Sequence, residues 1–180
     1  MDKREQRRYI REQKKLYSAD ELDVMSCQIC ESVKKDGLWR ASGTVLLYHA
    51  LPDEVNTQVL IDNAVLLGKK ILLPVVVGDD LELRVYDGPE TLAQGAYGIL
   101  EPTGTLYPES EYDKIDLAII PGMAFDDYCN RLGRGKGYYD RLLPRLTNAY
   151  KIGVCFPFQK LEHIPSEPHD CKVNEIVWNK

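Results

Sequence analysis

No stretch of the 180-residue chain approaches the run of roughly 18 apolar residues that a membrane-spanning helix needs. The N-terminus is charged from Asp2 onward and lacks the apolar core of a secretion signal. Together these absences lead to the expectation of a cytoplasmic protein with no membrane partner. An excess of positive charge is missing too: 23 Lys and Arg stand against 28 Asp and Glu, a net charge of −5. General affinity for nucleic acid is therefore not expected. The five cysteines are an odd number, with no second ligand pair at zinc spacing beside Cys27 and Cys30. That argues against a disulfide framework and against a zinc site. Cys27 and Cys30 fall inside a helical pattern, where they read as small buried apolar groups on one helix face. There is no internal repeat, linker or low-complexity segment. The length suits one domain over residues 1–180, with enough chain for a real core, and a monomer is expected.

What is present is an alternation of helical and strand patterns. Lys3 to Leu16 is polar and rich in helix formers; seven of its neighbourhood's first 15 residues are basic and three acidic. It predicts a surface helix with little apolar face. Ser18-Ala-Asp-Glu21 is a capping box opening a second helix to about Lys35, ended by Asp36-Gly37. Thr44–Tyr48 reads as a short strand, followed by the loop His49–Glu54. Asp53 is placed to cap a helix from Glu54 to Leu67, with Glu54 a first-turn acid. Lys69–Val77 is a buried strand, Leu81–Tyr86 an alternating antiparallel or edge strand, and 87–112 a long loop rich in Gly and Pro. Asp113–Ile120 is a third central strand. A helix is expected from Gly137 to Leu146 with a break at Pro144. Tyr150–Phe156 and Val173–Trp178 complete the strands, with 157–172 a polar loop. The pattern predicts an α/β fold, a mainly parallel central sheet flanked by helices.

The richest chemistry lies in Pro121–Leu143, PGMAFDDYCNRLGRGKGYYDRLL. Between a buried strand and a helix, Gly133, Gly135 and Gly137 alternate with Arg134 and Lys136. Glycine lets backbone N–H groups approach an anion, and a helix N-terminus adds partial positive charge. Two fixed cations on one loop suit a polyphosphate, and Asp140 offers a carboxylate for a metal. The stretch is not a Walker A loop, because Gly137 rather than Ser or Thr follows Lys136. It is not the dinucleotide fingerprint either. A plain basic turn fits the same composition. Asp126 and Asp127 read as a turn, with Asp bonding nearby backbone.

The run PG-x-AFD followed by Asn130–Asp140, NRLGRGKGYYD, closely resembles the signature of the 5-formyltetrahydrofolate cyclo-ligase family. Lys3-Arg4 with Arg7 is similar to that family's basic opening helix. Tyr48-His49 through Asp53–Thr57 resembles its folate-side loop, and His169-Asp170 before Val173–Val177 its C-terminal turn and strand. The resemblance implies closure of 5-formyltetrahydrofolate to 5,10-methenyltetrahydrofolate, with ATP as co-substrate, Mg²⁺ as cofactor, and release of ADP and phosphate. It implies the fold shared with sugar-phosphate isomerases and CoA transferases. It assigns ATP contacts to Lys3, Arg4, Arg7 and the run Arg131, Leu132, Gly133, Arg134, Gly135, Lys136, Gly137, Tyr138 and Tyr139. Folate contacts would come from His49, Glu54, Arg134, Gly135, Lys136, Gly137 and Tyr138, with Tyr97, Ile99 and Leu100 lining an apolar slot. Arg134, Lys136 and Tyr138 would be catalytic, and Asp140 and Asp170 would hold the metal. Two residues depart from the family pattern: Cys129 where glycine is common, and Asn174 where aspartate is. The first puts the local turn in question; the second argues against a metal role at 174. The rivals are a sugar-phosphate or CoA enzyme of the same fold, and a nucleotide- or folate-binding regulatory module.

Overall fold

A computed structural model describes residues 1–95 and 100–179. The chain opens with α1 (Lys3–Lys14), α2 (Ala19–Lys35) and α3 (Gly37–Ala41), then β1 (Thr44–Leu46) and α4 (Gln58–Leu66). A hairpin of β2 (Lys70–Val77) and β3 (Asp80–Tyr86) follows, then β4 (Leu92–Gln94), β5 (Leu100–Pro102) and β6 (Leu106–Tyr107). After β7 (Leu117–Ile120) come β8 (Ala124–Asp126), β9 (Arg131–Leu132), α5 (Tyr138–Leu142), β10 (Tyr150–Cys155), β11 (Lys160–Leu161) and β12 (Glu175–Trp178). The main sheet has seven strands in the order β12-β10-β7-β1-β2-β3-β6. Its first five are mutually parallel, and β3 runs antiparallel to β2, as its alternating pattern predicts.

The central strands are apolar throughout because helices cover both faces of the sheet. Side chains alternate with the pleat. Val45, Ile71, Leu73, Leu117, Ile119, Ile152 and Val154 face Leu22, Ile29, Val33, Trp39, Leu60 and Ile61 of α2, α3 and α4. Leu46, Leu72, Ala118 and Ile120 face the opposite cluster, with Leu142, Leu143 and Leu146 from α5 and the turn after it. Transfer of each such side chain from water contributes about 1.5–3 kcal/mol.

Several expectations need correction. The helix after β1 begins at Gln58, not Glu54, and its N-cap is Thr57. Asp53 and Glu54 instead stay in the loop with their carboxylates engaged elsewhere. The stretch 87–112 is not one structureless loop, since β4 and β5 pair across it and Glu109–Lys114 forms a 3₁₀ turn. Short pairings of two or three residues carry too little periodicity to be seen in sequence. The expected contacts from Tyr97 and Ile99 lie outside the described residues, and Leu100 is exposed. The helix α1 does have a seat: Ile10 is buried among Met123, Leu132 and Ile164, and buried Gln6 donates to the His163 carbonyl at 2.7 Å. The two helix cysteines do not share a buried face. Cys30 is buried and its thiol is pushed up to about 12 by burial, while Cys27 is exposed; both are free thiols. The buried polar position beside them belongs to Ser26, which accepts from the Asn56 amide. The capping box at Ser18 and Glu21 forms as expected, and a second one joins Asp2 to Glu5. The break at Pro144 is real: α5 stops at Leu142 and passes into a 3₁₀ turn.

This topology fixes where a ligand can sit. From β1 the sheet grows to one side through β2 and to the other through β7, so the strand order reverses between β1 and β7. In open parallel sheets the crevice beyond the strand C-termini at such a reversal is the ligand position. The loop after β1 carries His49–Glu54, and the loop after β7 leads to the glycine-rich run.

Candidate active site

Between β7 and α5 the chain makes the small hairpin β8–β9, held by Asp126. This fully buried carboxylate accepts from the amides of Tyr128, Asn130 and Ile164 and from the Asn130 side chain, at 2.8–3.0 Å. The aspartate therefore serves the turn, as its sequence context suggests, and Asp127 pairs outward with Lys160. Cys129 closes the hairpin at φ 61°, the one non-glycine residue with positive φ among the described residues. A side chain there is strained, which explains why a glycine would suit this place. Asn174 accepts from the Lys151 amide at 2.8 Å, so it ties β10 to the chain entering β12 rather than facing the site.

Beyond β9 the run Gly133–Gly137 folds back toward α1. The Arg7 Nε donates to the Gly133 carbonyl at 2.7 Å. Gly135 and Gly137 adopt φ 101° and 72°, conformations that a side chain would oppose. Gly137 caps α5, but that helix is only five residues long, so its dipole adds little to the loop's own N–H groups.

One cleft of about 730 Å³ gathers the N-terminal helix, the glycine-rich run and the segment before β12. Lys3, Arg4, Arg7, Arg131, Leu132, Gly133, Gly135, Lys136, Gly137, Asp140 and Asp170 all line it. These residues are scattered from 3 to 170 in the sequence, and the fold brings them together. The cleft also includes His169, part of the C-terminal motif but given no role there, and Arg141 and Glu167, which the sequence does not mark. Arg141 is recognisable only once the loop is folded, when its guanidinium covers the Tyr138 ring and donates to the Lys136 carbonyl at 3.1 Å.

Lys3 and Arg131 are paired with acids of the cleft. Lys3 Nζ lies 2.5 Å from Asp170 and 3.3 Å from Glu167. Burial opposes ionisation of Asp170, but the Lys3 ammonium and the Glu167 amide outweigh it and hold its carboxyl below the usual range. Arg131 is buried on β9, with a guanidinium nitrogen 3.5 Å from Asp140, another donating to the Pro121 carbonyl at 3.2 Å, and its plane over Tyr139. Its Nε has no partner among the described residues. Burial lowers the Arg131 pKa, with Asp140 opposing. Desolvated guanidinium groups of this kind bind anions strongly because little water must be removed from them on binding.

Five expected site residues stand elsewhere. Tyr138 and Tyr139 sit beneath Arg141 and Arg131 and pack on the core, rather than opening into the cleft. His49 is half-buried at the end of β1, where burial lowers its pKa. Glu54 accepts from the Leu51 amide at 3.0 Å, and burial raises its pKa. Arg134 leaves the cleft and turns to that same loop: its Nη2 is 2.5 Å from Asp53 and 3.2 Å from Glu54. The glycine-rich run thus points Lys136 one way and Arg134 the other.

The match to the 5-formyltetrahydrofolate cyclo-ligase family model runs over residues 1–179. The chain belongs to that family. It is 34% identical over 173 residues to a probable 5-formyltetrahydrofolate cyclo-ligase of Schizosaccharomyces pombe, covering 87% of this chain and 84% of the other. It is 33% identical over 150 residues to the cyclo-ligase of Mycolicibacterium smegmatis, covering 80% and 77%. The solution structure of Aquifex aeolicus 5,10-methenyltetrahydrofolate synthetase superposes with a TM-score of 0.86 at 34% identity, over 99% of this chain and 90% of that one. A 5,10-methenyltetrahydrofolate synthetase from Mycoplasma pneumoniae, 24% identical, has the same fold at a TM-score of 0.79. Family membership sets aside the sugar-phosphate, CoA and purely regulatory readings. No helix among the described residues is long and apolar enough to cross a membrane.

The cleft also bears on a metal. Asp140 and Asp170 are oxygen donors on one cleft, and no group of three acidic, His or Cys side chains among the described residues would cage a bare ion. Two carboxylates suit magnesium, which keeps waters and shares substrate phosphates.

Proposed function

We propose that this protein is an enzyme that closes 5-formyltetrahydrofolate to 5,10-methenyltetrahydrofolate, driven by ATP with Mg²⁺ and releasing ADP and phosphate. The observation that carries this reading is the single cleft in which Lys3, Arg4, Arg7, Arg131 and Lys136 converge with Asp140 and Asp170. With Arg141, Asp2 and Glu167 the lining carries six Lys or Arg and four acids, a net positive charge that suits a triphosphate tail and its metal. Asp140 and Asp170 would hold Mg²⁺, directly or through water. When bound, the ion neutralises phosphate charge.

The formyl oxygen on N5 is a poor leaving group as it stands. Its attack on the γ-phosphorus forms an O–P bond, breaks the bond to the β-phosphate and releases ADP. The N10 lone pair then attacks the formyl carbon of the phosphorylated imidate. The C–O bond breaks, phosphate departs, and the N10 proton is lost. Phosphoryl transfer of this kind depends on positioning and charge neutralisation. Lys136, Arg131 and the amides of the glycine-rich run would bind the transferring oxygens, while α1 supplies Lys3, Arg4 and Arg7 to the rest of the tail. Glu54, Arg134 and His49 stand at the folate side, with Tyr138 and Tyr139 supporting the arginines above them. The protein would act as a single-domain monomer in the cytoplasm.

Absorbance of the methenyl product, followed with and without ATP, tests the reaction. Lys136→Ala and Asp140→Ala should fold and lose ATP-dependent product formation. Full turnover in both would overturn the assignment.

A further inference from the structure

Asp53 lies in the stretch that resembles the folate-side loop and is expected to cap a helix, but the helix does not start there. Its carboxylate instead meets two cations from distant parts of the chain. One oxygen is 2.5 Å from Arg134 Nη2, and the other is 3.9 Å from Lys14 Nζ on α1. Arg134 completes its fork on Glu54 through Nε and Nη2 at 3.3 and 3.2 Å. The contact spans 81 residues and joins the loop after β1 to the loop after β9. Glycines flank Arg134 on both sides, and Gly135 has a backbone that only glycine adopts easily, so the loop itself does not dictate where this side chain goes. The direction must come from its partners. Burial opposes the charge on Asp53, yet Arg134 and Lys14 keep its carboxyl below the usual range. Asp53 and Glu54 thus share one guanidinium.

Resting on the proposed reaction, we propose that Asp53 is a positioning residue that holds Arg134 on the folate side of the glycine-rich loop. Lys136 and Arg134 then have separate tasks, phosphate and folate, although one residue separates them. Arg134 presents a guanidinium to the reduced folate only while Asp53 anchors it. Without that anchor its remaining partner is Glu54, and the arginine swings toward solvent or toward the anionic nucleotide.

The test is Asp53→Asn, with Arg134→Lys and the double variant beside it. Hydrogen–deuterium exchange of the 131–138 segment gives a readout that does not need turnover. Asp53→Asn should speed exchange across Gly133–Gly137 and raise KM for 5-formyltetrahydrofolate about tenfold, the scale of one charge-assisted hydrogen bond. KM for ATP should stay within about twofold, and Asp53→Glu should recover part of the loss. The double variant should be no worse than Arg134→Lys alone, because the two residues act as one unit. Unchanged exchange with unchanged KM overturns the proposal. An equal rise in both KM values overturns it too, because the loop would then be loosened as a whole. If the wild-type protein forms no methenyl product, the proposed reaction fails, while the exchange arm still decides whether Asp53 positions the loop.

Discussion

Replacing Asp126 by alanine should cost about 3–5 kcal/mol of stability, through named donors. The carboxylate accepts four N–H groups, three of them in fully buried contacts: the Asn130 amide, the Asn130 side chain and the Ile164 amide. An orphaned buried donor costs about 1–3 kcal/mol, and water entering the space left by the side chain recovers part of that. The total is a large share of an ordinary stability of about 5–15 kcal/mol. Asp126→Asn should lose about half as much, since its amide oxygen still accepts two amides while its NH₂ faces two donors. Urea unfolding followed by the fluorescence of Trp39 and Trp178 measures both. There is also a pH signature. The Asp126 pKa is lowered in the folded protein, because four hydrogen bonds together outweigh the opposing cost of burial. A depressed carboxylate contributes stability that is present above the unfolded value of about 3.9 and is lost as pH falls through the folded one. The acid limb of the wild-type curve should accordingly flatten in Asp126→Asn. A loss below about 1 kcal/mol in the alanine variant, or an unaltered acid limb, would refute the reasoning.

Two further outcomes follow from the same hairpin. Cys129→Gly should stabilise by about 0.5–1 kcal/mol, since relief of a left-handed backbone exceeds the added freedom of the unfolded chain; thermal unfolding decides, and a clear destabilisation would mean the side chain's packing dominates. Arg131→Met should cost about 2–4 kcal/mol by urea unfolding, because it leaves Asp140 and the Pro121 carbonyl without their partner, and Mg-nucleotide affinity by calorimetry should fall at least about tenfold.

The sequence was informative where a pattern is long or a chemistry is concentrated. The buried strands, the capping box at Ser18 and the loop from Asn130 to Asp140 all announce themselves, because hydrophobic period, side-chain capping and alternating glycine and cation are local properties. Residues whose meaning depends on a distant partner were not legible. Asp53 beside Glu54 looks like a helix start, and nothing nearby says that Arg134 will claim both carboxylates. Tyr138 and Tyr139 look like ligand contacts, yet each ring lies beneath an arginine from β9 or α5. Cys27 and Cys30 share a helical spacing, but the edge of the buried face passes between them, and Ser26 takes the inner position.

On the proposed reading, the charge pairing in the cleft constrains how a nucleotide would enter. Lys3 is held by Asp170 and Glu167, Arg131 by Asp140, and Arg7 by a loop carbonyl. A triphosphate arriving alone would compete with carboxylates for these cations and leave the acids unpaired against its own charge. Arrival with a divalent cation would remove that conflict, because the carboxylates released by lysine and arginine would gain the metal while the freed cations gained phosphate. The exchange conserves the number of close opposite-charge contacts, so it needs little net electrostatic gain from any single residue. On that reading the acids have a place beside the cations: they orient them and compete with a bare phosphate.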